Sequence, residues 1–263
     1  MNYKIIAMDF DGTLFTSDKK VTKKTKKALL KYQKNGYIIV GATARGLNSV
    51  KSLISDISMF NYLILTNGCH IYDVKNKKAE YIGYLDKDVL EKITEYFKDI
   101  SEGIDYRTLE NYYMYRKNET VKSKGFLVGI NSLEEIKERV SRLNIYIKDY
   151  EDAEKYRDYV NQKFPETNAI VMQDTDQGSI KKWIAINPKD LNKLVTLEKL
   201  CKRLNINMEE VIFFGDGPND IEIIEKVGLG VAMGNALPEV KEKAKEITLS
   251  NNEDGIAIFL ESL

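Results

Sequence analysis

A chain of 263 residues can bury a sizeable core, as one large domain or two unequal ones. Its 40 Lys and Arg balance its 40 Asp and Glu, so no global field exists to hold nucleic acid or an anionic membrane, and neither is expected as a partner. Two cysteines, Cys69 and Cys201, lack the close spacing of a disulfide framework or zinc site. The first ten residues read as a strand rather than a leader, and no membrane segment or obligate protein partner is indicated. A soluble cytoplasmic protein is the expectation.

The first strand, Lys4 to Met8, runs straight into Asp9-Phe10-Asp11-Gly12-Thr13. Two carboxylates thus stand where a buried strand gives way to a glycine-containing turn. In an open α/β sheet, ligands bind in the crevice at the carboxyl ends of the strands. Aspartates this close repel, and a hard divalent cation with oxygen ligands relieves them, Mg2+ above all where phosphate chemistry is involved. Taken alone, the segment reads equally as a strand followed by an Asp-Gly turn.

A helix is expected from about Thr22, with Ala28, Leu29 and Tyr32 facing inward and a stop near Gly36. Its clusters Lys23-Lys24 and Lys26-Lys27 read as a solvated face. Strand Tyr37 to Val40, a helix carrying Leu47, Val50, Leu53 and Ile54, and strand Tyr62 to Leu65 continue a Rossmann-like alternation. Between strand and helix lies Gly41-Ala42-Thr43-Ala44-Arg45, where Thr43 can offer its hydroxyl and nearby N–H groups to a phosphate or serve as an ordinary N-cap. The single histidine, His70, opens the strand-like His70 to Val74 and reads as structural. No nucleophile-elbow pattern accompanies it, so Ser-His-Asp or Cys-His chemistry is not expected.

After Asn67-Gly68 the grammar changes. Hairpin-like strands such as Tyr112 to Arg116 and Ile170 to Gln173, with helices near Asp88 to Ile100, Leu133 to Leu143 and Ala153 to Phe164, predict an α+β module at 82–186. It interrupts a core domain formed by 1–81 and 187–263. From Pro188 alternation resumes with helix Leu191 to Leu204, strand Val211 to Phe214, a short helix, strand Leu229 to Met233, and helices near Glu239 and Gly255. The Val211 strand ends in Gly215-Asp216-Gly217-Pro218-Asn219-Asp220. If it neighbours the first strand, Asp216, with Asp220 as a further member, converges on Asp9 and Asp11. Lys193 opens the helix that leads there, while Lys181, Lys182 and Lys189 compete with it on spacing alone.

Such a constellation suits phosphoryl transfer. Asp9 can act as a carboxylate nucleophile that forms an aspartyl phosphate. Asp11, past the bend, can protonate the leaving oxygen and later deprotonate the attacking water. Metal and cationic groups would neutralise the equatorial oxygens of the transferring group.

The DFDGT segment, Thr43, Lys193 and the Gly215-to-Asp220 segment resemble the four ordered motifs of the haloacid dehalogenase (HAD) superfamily. More narrowly, the chain is similar to Cof-type phosphatases with a type IIB cap, through Thr66-Asn67-Gly68, Gly230-Val231-Ala232-Met233-Gly234-Asn235-Ala236 and Asp254-Gly255. The resemblance runs through the core; the insert matches in position and approximate length. It implies an α/β fold, a Rossmann-like parallel-sheet core with an inserted α+β cap. It further implies an Mg2+-dependent phosphatase acting on small phosphorylated metabolites, sugar phosphates above all.

In that resemblance Asp9 is the nucleophile and Asp11 the acid and base. Asp9, the Asp11 carbonyl and Asp216 ligate Mg2+, with Asp220 in support. Thr43 and Lys193 grip the phosphate, beside Gly12, Ala44 and Asn219, and Lys193 is selected among the lysines. The cap would choose the leaving group, with Tyr112, Tyr113, Tyr115, Arg116, Lys122 and Lys124 as its aromatic and cationic groups, unless these are sheet surface and core. Ala44, Leu194 and Cys69 depart from residues common in relatives, without removing a reacting group. The alternatives are a phosphomutase or phosphotransferase, told apart by its product, and a non-catalytic metabolite-binding regulator.

Overall fold

The structure is a computed structural model that describes residues 3–117, 119–148, 150–176 and 179–263, with side chains at all of these except 150 and 174–181. Two compact units divide the chain: Met1–Arg45, Val50–Ile82 and Asn192–Leu263 form one, Gly46–Ser49 and Gly83–Leu191 the other. The insert thus runs to 191, against 186 in the sequence reading, because its last strand continues to Pro188.

In chain order the elements up to the insert are β1 (Ile5–Met8), α1 (Lys23–Lys34), β2 (Ile38–Ala42), α2 (Leu47–Leu53), β3 (Tyr62–Leu65), β4 (His70–Asp73) and β5 (Lys78–Tyr81). The insert supplies α3 (Lys87–Phe97), β6 (Ser101–Arg107), β7 (Tyr112–Tyr115), β8 (Leu127–Ile130), β9 (Arg142–Ile147), α4 (Ala153–Lys163), β10 (Thr167–Asp176) and β11 (Ser179–Pro188). The chain then adds α5 (Lys193–Leu204), β12 (Val211–Gly215), α6 (Ile221–Lys226), β13 (Leu229–Ala232), α7 (Pro238–Lys243), β14 (Glu246–Ile247) and α8 (Gly255–Ser262).

The first unit carries a sheet in the order β14-β13-β12-β1-β2-β3-β4-β5. It is parallel from β14 to β3, and β4 then pairs antiparallel with β3. Only the turn Thr66–Gly68 and Cys69 join β3 to β4, far too short for a parallel crossover, so β4 and β5 extend the expected parallel core as an antiparallel edge. Ile5, Ile6, Ala7 and Met8 are all fully buried, as an apolar run covered on both faces must be.

Helix α1 starts where the Thr22 side chain accepts the Thr25 N–H, and it buries Ala28 and Leu29. Emptying the Leu29 site by Leu29→Ala would cost about 2–5 kcal/mol. The Tyr32 hydroxyl donates to the Leu260 carbonyl of α8 at 2.6 Å. No described helix is long and apolar enough to cross a membrane.

The second unit has a sheet in the order β10-β11-β9-β6-β7-β8. Ile104 and Tyr106 of β6, Leu143, Ile145 and Ile147 of β9, and Ile184 and Ile186 of β11 alternate onto one face, where they pack with Val89, Ile93 and Phe97 of α3 and Val160 of α4. The helix expected over Leu133 to Leu143 does not form. Ser132 and Glu135 close a capping box around one 3-10 turn, Leu133–Glu135, and Ile136 is already extended. Arg142 to Ile147 instead form a central strand between β6 and β11, where the alternation of apolar Leu143, Ile145 and Ile147 with polar Arg142, Asn144 and Tyr146 overrides the helical spacing of 133, 136, 140 and 143.

Candidate active site

Parallel pairing of β1 with β12 sets Met8 beside Phe214, and the Asp9 N–H donates to the Phe214 carbonyl at 3.0 Å. Both strands therefore end at one edge, and the residues after them meet. Among the described residues, Asp9, Asp216 and Asp220 can each bring a carboxylate oxygen within 4.8 Å of the others. Asp220 is fully buried, and its Oδ2 accepts the N–H groups of Asp216 and Gly217 at 3.2 and 3.3 Å, which pins the turn. Thr13 donates to Asp216 Oδ1 at 2.7 Å.

Gly12, at φ +84°, sits where an added Cβ would overlap Asp216 Oδ2. The glycine thus serves both the left-handed turn and the close approach of the two loops.

Lys193 opens α5 after its N-cap Asn192, whose side chain accepts the Val195 N–H. A lysine in a first helical turn opposes the helix dipole. This one turns inward, 2% exposed, with Nζ 2.5 Å from Asp9 Oδ1 and 3.0 Å from Asp220 Oδ1. Burial works to lower its ammonium, but the Asp220 and Asp9 carboxylates hold it above its ordinary value. Burial pushes Asp9 up to about 7 against the pull of Lys193, with Asp220 and Asp216 adding to the rise. Asp216 is pushed up to about 6, again chiefly by burial.

The three clustered carboxylates have one ammonium among them, bonded to Asp9 and Asp220, so acidic groups outnumber cationic ones. A hard divalent cation with oxygen ligands fits that deficit and that donor set.

Asp11 stands apart from the trio. Arg45 Nε meets its Oδ2 and Nη2 its Oδ1, both at 2.7 Å, and Lys19 Nζ adds a contact to Oδ1 at 2.8 Å. Burial works to raise this carboxyl, but the hydrogen bonds from Arg45 and Lys19 hold it below the usual range. Neither cation was among the site residues read from the sequence. Arg45 lies two residues after Thr43 in the loop that follows β2, the one sequence signal that places it near the site.

Thr43 is buried; its Oγ1 accepts the Arg45 N–H at 3.2 Å, and its own N–H donates to the Ile64 carbonyl at 2.9 Å. Ala44 is half-buried beside it. Asn219 is exposed on the Gly217–Asp220 turn, outside the charged trio. Lys189 is exposed, Lys182 lies half-buried on β11, and the Lys181 side chain is outside the described residues. His70 is buried on β4 with its ring edge-on to Tyr81 at 4.8 Å.

Asn235, named in the sequence only as part of a motif, and Asn251, not singled out there, form a second group. Asn235 Nδ2 donates to the Gly12 carbonyl at 2.8 Å, the Asn251 N–H reaches Asn235 Oδ1 at 2.9 Å, and Asn251 Nδ2 reaches the Phe15 carbonyl at 2.8 Å. Side chains near the C-terminus thus brace the loop after β1. Of the insert residues singled out, Tyr113 donates to Glu138 Oε1 at 2.7 Å, Arg116 pairs with Glu119 at 3.1 Å, and Lys122 and Lys124 are exposed.

The profile of the haloacid dehalogenase-like hydrolases matches residues 6–260, and the chain belongs to that family. A 5-amino-6-(5-phospho-D-ribitylamino)uracil phosphatase of Bacillus subtilis (strain 168) is 27% identical over 268 residues, covering 97% of this chain and 96% of its own. The crystal structure of a haloacid dehalogenase-like hydrolase from Bacteroides thetaiotaomicron has a TM-score of 0.84 at 26% identity and covers 99% of both chains. A subclass IIB sugar phosphatase of the superfamily, at 22% identity, shares the fold with a TM-score of 0.78 over 98% of both chains. The protein is an enzyme of the phosphatase branch of this family.

Proposed function

We propose that the protein is a cytoplasmic Mg2+-dependent phosphatase that hydrolyses small phosphorylated metabolites, sugar phosphates among them, through an aspartyl phosphate. The observation that carries this reading is the cluster of Asp9, Asp216 and Asp220, with Lys193 bonded to Asp9 and Asp220. The Bacillus subtilis relative, named for a phosphorylated ribityl compound, supports the substrate class.

Asp9, the Asp11 carbonyl and Asp216 would hold Mg2+, with Asp220 in support, and the bound ion would supply charge neutralisation for the phosphoryl oxygens. An Asp9 oxygen attacks phosphorus; the bond from phosphorus to the leaving oxygen breaks, and that oxygen takes a proton from Asp11, which gained it as the monoester bound. Water then attacks the aspartyl phosphate, gives its proton to Asp11, and releases inorganic phosphate with the Asp9 carboxylate restored. Lys193 and Thr43 hold the phosphate, with Gly12, Ala44 and Asn219 beside it. The insert selects the leaving group.

The test is phosphate release from a panel of sugar phosphates and phosphorylated cofactors with and without Mg2+, for the wild type and Asp9→Asn. Release by the wild type alone, and only with metal, is expected. No release from any ester, or equal release by Asp9→Asn, would overturn the reading.

A further inference from the structure

We propose that Arg45, seconded by Lys19, is a positioning residue that fixes the Asp11 carboxylate for proton transfer, an inference that rests on the phosphatase reading above. The two guanidinium nitrogens Nε and Nη2 each stand 2.7 Å from a different Asp11 oxygen. A planar fork matched to a planar carboxylate at two points restrains rotation as well as position, which a single contact does not. Lys19 supplies a third contact, to Oδ1 at 2.8 Å. Arg45 is 26% and Asp11 39% exposed, where attraction alone stabilises little. What this geometry keeps is orientation.

Arg45 is itself held in place. Its N–H donates to Thr43 Oγ1 at 3.2 Å, its carbonyl accepts the Thr66 N–H at 2.9 Å, and its guanidinium carbon lies 5.9 Å from the centre of the Phe15 ring. Lys19 is aimed by a tight turn: its residue is left-handed at φ 57°, its N–H donates to the Thr16 carbonyl at 2.8 Å, and the Thr16 N–H donates to the Lys20 carbonyl at 2.9 Å. The two cations therefore come from separate loops, each with its own backbone support, and close on one carboxylate.

In the proposed reaction Asp11, ionised in the free enzyme, takes up a proton as the monoester binds and gives it to the leaving oxygen as the bond from phosphorus to that oxygen breaks. The demand for this proton depends on the ester. A sugar alkoxide cannot depart without it, whereas an acidic phenol can. A group that acts through Asp11 therefore matters for the first ester and much less for the second, while a group that grips phosphate matters equally for both.

The experiment compares kcat and KM for a hexose 6-phosphate and for p-nitrophenyl phosphate in the wild type, Arg45→Ala, Arg45→Lys, Lys19→Met and Asp11→Asn. Arg45→Ala is expected to lose on the order of 100-fold in kcat/KM on the hexose ester, carried by kcat, and less than about 10-fold on the aryl ester. Arg45→Lys should recover part of the hexose loss, and Lys19→Met should show the same selective loss at smaller size. Equal loss on both esters, a loss carried by KM, or no loss would overturn the inference. Where Arg45→Ala fails to fold, Arg45→Lys decides by the same selectivity. A wild type inactive on both esters, or Asp11→Asn matching it, would overturn the phosphatase reading as well. An active wild type with Asp11→Asn selective and unselective Arg45 variants would overturn the inference alone.

Discussion

Lys193 and Asp9, 184 residues apart in the chain, meet at 2.5 Å in the interior of the first unit. The ammonium faces two carboxylates with 2% of its side chain exposed, so its removal strands charge that water cannot reach. Breaking one side of a buried pair costs about 3–5 kcal/mol. Lys193→Met should therefore destabilise metal-free protein by about 3 kcal/mol in urea unfolding. Adding Asp9→Asn to it should cost less than the sum of the two single changes, since the pair is coupled. Additive losses would contradict the contact.

Gly12→Ala tests the meeting of the two loops from the other side. The residue is left-handed at φ +84°, and the new methyl would overlap Asp216 Oδ2. Strain alone should cost about 1–2 kcal/mol, and displacement of Asp216 should take phosphate release down further. Unfolding midpoints and turnover are measured together. A variant equal to the wild type in both would show that the loops do not approach as described.

Glu138 gives the second unit a pH dependence. Burial works to raise its carboxyl, but the hydrogen bonds from Thr108, Asn111 and Tyr113 hold it below the usual range. A folded-state pKa below the unfolded one contributes stability above the unfolded value, and that contribution disappears as pH falls through the folded value. The wild type should exceed Glu138→Gln in stability at neutral pH, with the gap closing below about pH 4. Urea midpoints across that range provide the check; a constant gap would count against the network.

Cys201 is buried, and burial pushes its thiol up to about 12; Cys69 is buried as well. The thiolate is the reactive form. Native protein at pH 8 should resist alkylation at both positions, and urea-unfolded protein should label fully, as read by mass. Rapid native labelling of Cys201 would contradict its placement.

The meeting of the chain's two ends was legible because Ile5–Met8 and Val211–Gly215 are short, continuous apolar runs, each followed at once by aspartates. Parallel strands end at the same edge, so Asp9 and Asp216 converge once β1 and β12 pair. Other features depended on tertiary context. Leu133 to Leu143 carries helical spacing and a capping box, yet Arg142 to Ile147 gains more as a strand bonded on both edges. The Arg45 fork on Asp11 spans 34 residues and two loops, and no periodic pattern marks such a contact. The antiparallel edge at β4 turned on a short connection rather than on the strand's own composition.

Titration of Mg2+ into metal-free protein by calorimetry tests the central claim most directly, that carboxylates from both ends of the chain hold one cation. The wild type should bind at a single site in the trio, and Asp9→Asn and Asp216→Asn should each weaken it on the order of 10–100-fold or abolish it, with the fold intact by circular dichroism. Wild-type affinity retained in either variant would contradict the account.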